Sequence, residues 1–372
     1  MTNTPSQTRL TRRNFLRLTA AAGVTAVGGY ALAEYAPWLD TAGQADQIRQ
    51  PVAKEGTMPT DLKELVRYAT LAANGHNTQP WRFALGADSI EIRPDLARRL
   101  PVVDPQDREL WISLGCALEN LLVAARATGY SAEVTYPDAA DVIRVQLAPD
   151  TSQASPLFDA IPRRQNTRSA YDGRPVAAAD LDRMLATPLE PGVTLRPVTA
   201  AGDMAQVQEY VRQGNLSQYG DKAFVAELIH WLRFNQRAAL AARDGLYSRC
   251  SGNPEVPGWL GRMFVAGTKP GQQADADAAK LASSAGALII ASAGDNKSAW
   301  VRTGQVYERL ALQMTALDIK SAFLNQPIEV AELRTQFQTA IGLDAAPQLL
   351  VRYGYAADLP RSLRRPVAQV LI

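Results

Sequence analysis

Apolar residues recur at helical spacing in two long stretches of the chain. In the first, Trp111, Leu114, Leu118, Leu121 and Ala125 fall on one stripe. In the second, Trp300, Tyr307, Leu310, Met314 and Leu317 do the same. The stretches share a Trp-x-x-x-Gly-x-x-x-Glu spacing, Trp111-Gly115-Glu119 and Trp300-Gly304-Glu308, at an offset of 189 residues. Leu121 and Leu310, and Ala127 and Ala316, coincide as well. Each stripe runs into a turn and a strand-like segment, 131–136 in one case and 321–324 in the other. The shared spacing favours two halves related by duplication over two unrelated amphipathic helices with chance matches.

Around these helices the pattern alternates between periods. Residues 61–73 predict a helix begun at Thr60, with Glu64 in its first turns. Segments 82–85 and 89–93 predict a hairpin across Gly86, and 142–147, 287–291 and 348–353 predict strands. Further helices are expected over 179–185, 205–212 and 222–243. Residues 245–271 form a Gly/Pro-punctuated excursion that fits neither repeat. Helices and short strands mix without strict β-α-β alternation, which indicates an α+β fold rather than a doubly wound sheet.

Composition narrows the chemistry. The 372 residues carry 39 Lys and Arg against 37 Asp and Glu, with two cysteines and two histidines. That balance gives no electrostatic case for nucleic acid. Two cysteines exclude a disulfide scaffold and a four-cysteine zinc site, and the two histidines are too far apart for a paired metal motif; no metal is expected. There is no Gly-x-Gly-x-x-Gly after a strand, no phosphate-binding Gly-x-x-x-x-Gly-Lys-Ser/Thr and no Gly-x-Ser-x-Gly. Side-chain chemistry is thinly supplied, which points to a cofactor or to no catalysis.

The positive charge is unevenly placed. Residues 1–33 hold four arginines and no acid, and 18–33 are uncharged and end in Ala-Leu-Ala. This is the pattern of an export signal, and Thr11-Arg12-Arg13-Asn14-Phe15-Leu16-Arg17 is that of the twin-arginine route. It predicts a periplasmic or extracytoplasmic location, recognition by the twin-arginine translocation machinery, and a cofactor inserted before export. Retention of the signal would instead tether the chain to the membrane. Residues 34–57 read as a linker, with the folded body beginning near Met58. Without residues 1–33 the count is 35 basic against 37 acidic residues, so useful positive charge is confined to small clusters.

Four segments could hold a cofactor. Arg163-Arg164-Gln165-Asn166-Thr167-Arg168 offers forked donors to a phosphate, or else is a solvated arginine loop. Arg361, Arg364 and Arg365 form a second cluster that could converge with the first. Asn74-Gly75-His76-Asn77-Thr78-Gln79 supplies amides suited to the alternating edge of a flavin pyrimidine, or else caps the preceding helix. Asn325 and Gln326 end the second repeat's strand.

Together these segments resemble the nitroreductase family: Asn77-x-Gln79-Pro80-Trp81-x-Phe83, Arg163-Arg164-x-x-x-Arg168, Pro327-Ile328-Glu329 and Arg364-Arg365-Pro366. Their order and the twinned halves look like the Acg-type subgroup, in which two nitroreductase-like halves are fused. The resemblance covers residue 58 onward, with halves at 58–155 and 156–372. It implies FMN as cofactor and a pseudo-dimer within one chain. It assigns Arg163, Arg164, Asn166, Thr167 and Arg168 to the phosphate and pyrimidine, Arg364 and Arg365 to the phosphate, His76, Asn77 and Gln79 to the flavin loop, and Asn325 and Gln326 to the ring. The family's Pro-Ile-Glu-Gly here ends in Val330, and no catalytic acid or base is assigned. The first half lacks an Arg-Arg segment and the second has Pro188 and Pro191-Gly192 where the loop belongs, so one FMN per chain is expected. The segment from about 230 to 271 reads as a lid over the flavin or as a packed surface arm. Two functions fit: an exported FMN-dependent oxidoreductase served by a small-molecule or protein electron donor, or a flavin-sequestering, stress-related protein with little turnover.

Overall fold

The computed structural model describes residues 39–50, 61–137 and 141–372. Among these residues ten strands are formed: β1 (Trp81–Leu85), β2 (Ser89–Pro94), β3 (Tyr130–Thr135), β4 (Ile143–Pro149), β5 (Val193–Val198), β6 (Leu232–Arg233), β7 (Leu246–Tyr247), β8 (Gly286–Ser292), β9 (Lys320–Phe323) and β10 (Ala346–Gly354). Eight of them make two antiparallel sheets, in the orders β1-β2-β4-β3 and β5-β8-β10-β9. In each sheet a long helix joins the second strand to the third in sequence: Arg108–Thr128 in one, Lys297–Ala316 in the other. The two sheets thus share one topology, and the fold is α+β with two halves of like strand order. The short parallel pair β6–β7 lies in the excursion.

The sequence pattern explains the strands. Trp81 and Phe83 are buried along β1 while Arg82 between them is not, as a half-buried strand requires. All seven residues of β8 are buried, because β5 and β10 flank it and side chains cover both faces. One continuous core runs through both sheets, from Leu65, Trp81 and Ile143 to Leu288, Tyr307 and Val351.

The repeated glycines mark the crossing of the two long helices. A Cβ on Gly115 would stand 2.0 Å from the carbonyl oxygen of Val301, and one on Gly304 would stand 2.0 Å from that of Ile112. Residues 112 and 301, like 115 and 304, are one repeat apart. The same patch is therefore used from both sides, as in an isologous dimer interface. Only residues without side chains allow backbones this close. The Arg108–Thr128 helix is long and apolar enough to cross a membrane, but it is buried here in the core.

Several expectations are corrected. The first helix of the body spans Leu62–Thr70, and Asp61 caps it by accepting from the amide of Lys63 at 2.9 Å; Thr60 lies outside the described residues. The expected helix over 205–212 is longer, Ala201–Gly220. The expected helix over 222–243 ends at Trp231, and Asn235 caps a second one, Gln236–Ala242. The break arises because Leu232 and Arg233 are extended and pair with Leu246 and Tyr247. The excursion is not irregular throughout: Gly258–Ala266 is a helix, and Pro270 opens another. Within the expected linker, Thr41–Gln47 is helical, capped by Asp40, and Ala45 is buried with Ala239, Tyr247 and Leu363. The export signal at 1–33 lies outside the described residues.

Candidate functional site

Two adjoining cavities, about 640 and 70 Å³, share Ala73, Asn74, Arg168, Leu246 and Ser251 in their walls. Three parts of the chain meet there. The loop after helix Leu62–Thr70 gives Asn74, Gly75 and His76, and the segment before the second half's sheet gives Arg164, Gln165, Asn166 and Arg168. The end of β9 gives Asn325 and Gln326.

The loop is backbone-strained. His76, Asn77 and Gln79 have φ of 46, 54 and 54°. Asparagine accepts this left-handed region more readily than most residues, and the other two must be held there. Asn74 Oδ1 accepts from the amide of Gln79 at 2.8 Å, and Asn77 Nδ2 donates to the carbonyls of Gly245 (3.0 Å) and Leu363 (3.3 Å). Gln79 Nε2 donates to the carbonyl of Arg243 at 2.8 Å, while its Oε1 accepts from the amide of Arg365, also at 2.8 Å. The loop is thus stapled to the excursion and to the C-terminal tail.

The two arginine clusters converge. Arg164, Arg168 and Arg364 all line the small cavity, with Gln165, Asn166 and Asn77. Their commitments differ. The buried Arg364 is fully engaged. Its Nε donates to the carbonyl of Thr70 (2.8 Å), Nη1 to Asn77 Oδ1 (2.6 Å), and Nη2 to the carbonyl of Ala72 (3.2 Å). It caps the helix that precedes the loop. Arg164 Nε stands 2.9 Å from Glu308 Oε1, and Nη2 donates to the carbonyl of Leu71, but Nη1 has no partner. Burial works against the charge on Arg164, but Glu308, with Tyr307 and Cys116, together outweigh it and raise its pKa. Arg168 lines both cavities, and its side chain makes no hydrogen bond or ion pair among the described residues. Burial lowers its pKa. A partly buried cation without a partner is costly unless an anion joins it.

Four expected residues, Arg163, Thr167, Gln79 and Arg365, stand away from the cavities. Arg163 is largely exposed and lies 3.6 Å from Asp318, because it follows the short Pro156–Ala160 helix on its outer side. Thr167 is buried behind the wall, its amide donating to the carbonyl of Ser321. Gln79 and Arg365 hold backbone together; Arg365 Nη2 donates to the carbonyl of Gln369, and Nη1 lies 3.5 Å from Asp95. Asn166 lines the small cavity and accepts from the hydroxyl of Tyr307 at 3.0 Å.

The large cavity is polar on one side and apolar on the other. Asn325 Nδ2 donates to Glu109 Oε1 (3.1 Å), and its Oδ1 accepts from the amide of Leu350. Gln326 Nε2 donates to Asp277 Oδ2 (3.0 Å), leaving its Oε1 buried without a partner. Gln218 Nε2 donates to Glu329 Oε2 at 2.6 Å. Burial, then Glu109, pushes the Glu329 carboxyl well above the carboxylate range. The same causes bring nearby Asp104 up to about 6. Burial, then Arg168, holds His76 down at about 4, so it is neutral at pH 7, with Nδ1 unpartnered. Leu232, Leu246 and Val265 of the excursion supply apolar wall, so this segment covers one side of the cavity.

Sequence reasoning missed Glu109, Gln218, Asp277 and Glu329 as lining residues. Glu329 sits in the Pro327-Ile328-Glu329 run and could have been found there. Gln218 and Asp277 are each one of several polar residues on long helices, and nothing local singles them out. Cys116 and Cys250 are both free, one buried in a central helix and one beside the small cavity.

No family model matches the chain. The protein Rv3131 of Mycobacterium tuberculosis, provisionally named an NAD(P)H nitroreductase, is 33% identical over 325 residues, covering 83% of this chain and 90% of its own. The acg protein of the same species, also provisionally named an NAD(P)H nitroreductase, is 26% identical over 329 residues, with 83% and 94% covered. Among solved structures, the FMN-dependent nitroreductase NfnB of Mycobacterium smegmatis, in complex with NADPH, is similar at a TM-score of 0.37 and 13% identity, over 57% of this chain and 96% of its own. An FMN-bound nitroreductase of Bacteroides fragilis gives 0.33 and 15%, over 55% and 90%. These superpositions are loose, and the relationship rests on the sequence relatives.

Proposed function

Because the chain belongs to the nitroreductase family, we propose that it is an exported FMN-binding oxidoreductase with one FMN per chain, held between two halves that arose by duplication. The observation that carries this reading is Arg168, an unpartnered guanidinium where the two cavities join, beside the unpartnered Nη1 of Arg164. A phosphate dianion satisfies both, and the small cavity suits a phosphate rather than a ring. Arg164, Arg168 and Asn166 would hold the phosphate. Asn325, Gln326 and His76 would face the ring, where Gln326 Oε1 and His76 Nδ1 await partners. Arg364 acts through Asn77 and the loop backbone, as a positioning residue.

Bound FMN would supply the redox chemistry. The chain supplies the surroundings. The excursion limits water on the apolar side, and burial with Glu109 nearby favours the protonated form of the Glu329 carboxyl, whose Oε2 accepts from Gln218. Neutral His76 adds no second cation beside Arg168.

Single occupancy is supported by the counterpart of Glu308. At Glu119 the partner is Arg309, with Nε and Nη2 at 2.7 and 2.8 Å, and Arg309 also pairs with Glu190 at 2.9 Å. Tyr136 and Gln305 are joined nearby at 2.8 Å. That position is filled by Arg309 between two carboxylates, and Arg302 there lies over the Tyr136 ring at 4.6 Å.

Export is supported by the twin-arginine pattern and the cleavage-like Ala31-Leu32-Ala33. NAD(P)H is a cytoplasmic reductant, so the exported protein draws electrons from a membrane or protein donor. The alternative, flavin sequestration with little turnover, is favoured by the excursion residues over the cavity. Purifying the full chain, extracting its flavin and reducing it anaerobically with NADPH, dithionite and a quinol tests these points. One FMN per chain is expected; no flavin would sink the proposal, and two would contradict the single site. Fast, saturable reduction by NADPH would count against the exported donor. Reduction by dithionite alone would select sequestration.

A further inference from the structure

The helix Gly258–Ala266 presents its apolar residues to the outside. Trp259 is 58% exposed, and Met263 and Phe264 are each 56% exposed, three large apolar side chains within six residues. Its inner face is made differently. A Cβ on Gly261 would meet the Phe234 ring at 2.2 Å, and Val265 lines the large cavity. The helix is therefore held by small and aliphatic residues on one side and leaves its aromatic side uncovered among the described residues. A contiguous apolar patch of this kind marks an interaction site more often than chance exposure.

Charge identifies the partner. Arg262 and Lys269 are exposed and make no ion pair among the described residues, and no acid occurs from 256 to 274. The helix packs beside Lys222–Trp231, which adds exposed Lys222 and His230. The one acid of that neighbouring helix, Glu227, is occupied by the amides of Val102 and Val103 at 3.0 Å. Trp, Phe and Met flanked by unpaired basic residues is the composition of a helix that lies in a membrane interface. A second copy of the chain would bring like charges together at the same patch.

We propose that the helix Gly258–Ala266 docks the protein on an anionic lipid bilayer, with Trp259, Met263 and Phe264 entering the boundary between headgroups and acyl chains and Arg262 and Lys269 meeting lipid phosphates. Since Val265 of the same helix lines the cavity, bilayer contact and cavity wall share one element. This docking stands independently of the flavin.

Vesicles of phosphatidylcholine, with and without about one-third phosphatidylglycerol, test it on the full chain by co-sedimentation. The Trp259→Ser/Phe264→Ser variant should partition about tenfold or more weaker. The Arg262→Glu/Lys269→Glu variant should lose the preference for anionic vesicles. Acyl-brominated lipid should quench a fluorescence component that disappears in Trp259→Phe. Unchanged thermal midpoints will show that these exposed substitutions leave the fold intact. Vesicle binding that all variants retain would assign the contact to residues 1–38 or another surface and overturn the proposal. So would absence of binding, or a dimer abolished by Trp259→Ser/Phe264→Ser with no affinity for lipid.

Discussion

Arg168 and its neighbours set the chemistry at the scale of single residues. Arg364 and Arg164 are tied to backbone carbonyls and to Glu308, with only Nη1 of Arg164 left over, whereas the Arg168 side chain makes no hydrogen bond or ion pair among the described residues. Arg168→Ala should weaken flavin retention by about tenfold to a hundredfold, the worth of one or two charge-assisted hydrogen bonds. Fluorescence titration of the stripped protein with FMN measures this, and an unchanged affinity would remove Arg168 from the site. His76 and Asp104 predict opposite responses to pH. His76 falls from 6.5 to about 4 on folding, so the unfolded chain binds the extra proton and stability drops as pH falls from about 6.5 toward 4. Asp104 rises from 3.8 to about 6, so the folded chain binds the extra proton and stability drops as pH rises across that window. Denaturant titrations at several pH values should show His76→Asn flattening the first limb and Asp104→Asn the second. A variant that leaves its own limb unchanged refutes that assignment.

At the scale of elements, the crossing of the central helices is the least tolerant contact. Gly115→Ala and Gly304→Ala each drive a methyl group into a carbonyl oxygen across the interface, at 2.0 Å in both cases. Each should cost about 1–3 kcal/mol or more, because a tightly packed core relaxes only by moving backbone. The two costs should be similar, since the positions are one repeat apart and meet equivalent partners. Thermal unfolding of both variants checks this; a silent Gly304→Ala would mean the helices do not cross there. The excursion behaves as an element in its own right. The loop residues Asn77 and Gln79 bond to Gly245 and Arg243, and Ala45 of the N-terminal helix is buried against Ala239 and Tyr247. Asn77→Ala should therefore release both the loop and the excursion, seen as faster amide exchange in residues 243–247 together with 74–79.

The whole molecule is a dimer-like arrangement whose two sides differ. Glu308 faces Arg164 at an arginine-lined cavity, whereas Glu119 is closed off by Arg309 and Glu190. A difference of this kind requires one chain, because identical subunits present identical surfaces to each other. Arg309→Met leaves Glu119 buried without its partner and should destabilise the chain by about 3–5 kcal/mol without affecting flavin at the other side. Denaturant unfolding and flavin content of the purified variant separate the two effects.

The sequence by itself determined the local pieces. The hairpin at Gly86 and the two long helices follow from periodicity, because side-chain spacing decides which face is buried, and the strand expected at 287–291 follows from its short apolar run. The repeated Trp-x-x-x-Gly-x-x-x-Glu was legible too, though only the crossing showed why glycine stands at its centre. The arginine and amide segments could be found, since their residue types announce donors. Which of these donors are free was not legible. Arg163 and Arg164 are adjacent, yet one faces solvent and the other a buried carboxylate, and Arg364 spends its guanidinium on a helix end. Partnering depends on groups more than 90 residues away in the chain, as for Arg164 with Leu71 and Glu308, and only the tertiary structure brings those together. The apolar face of Gly258–Ala266 was equally silent, because the same residues would read as core until the packing showed which side of the helix Phe234 occupies.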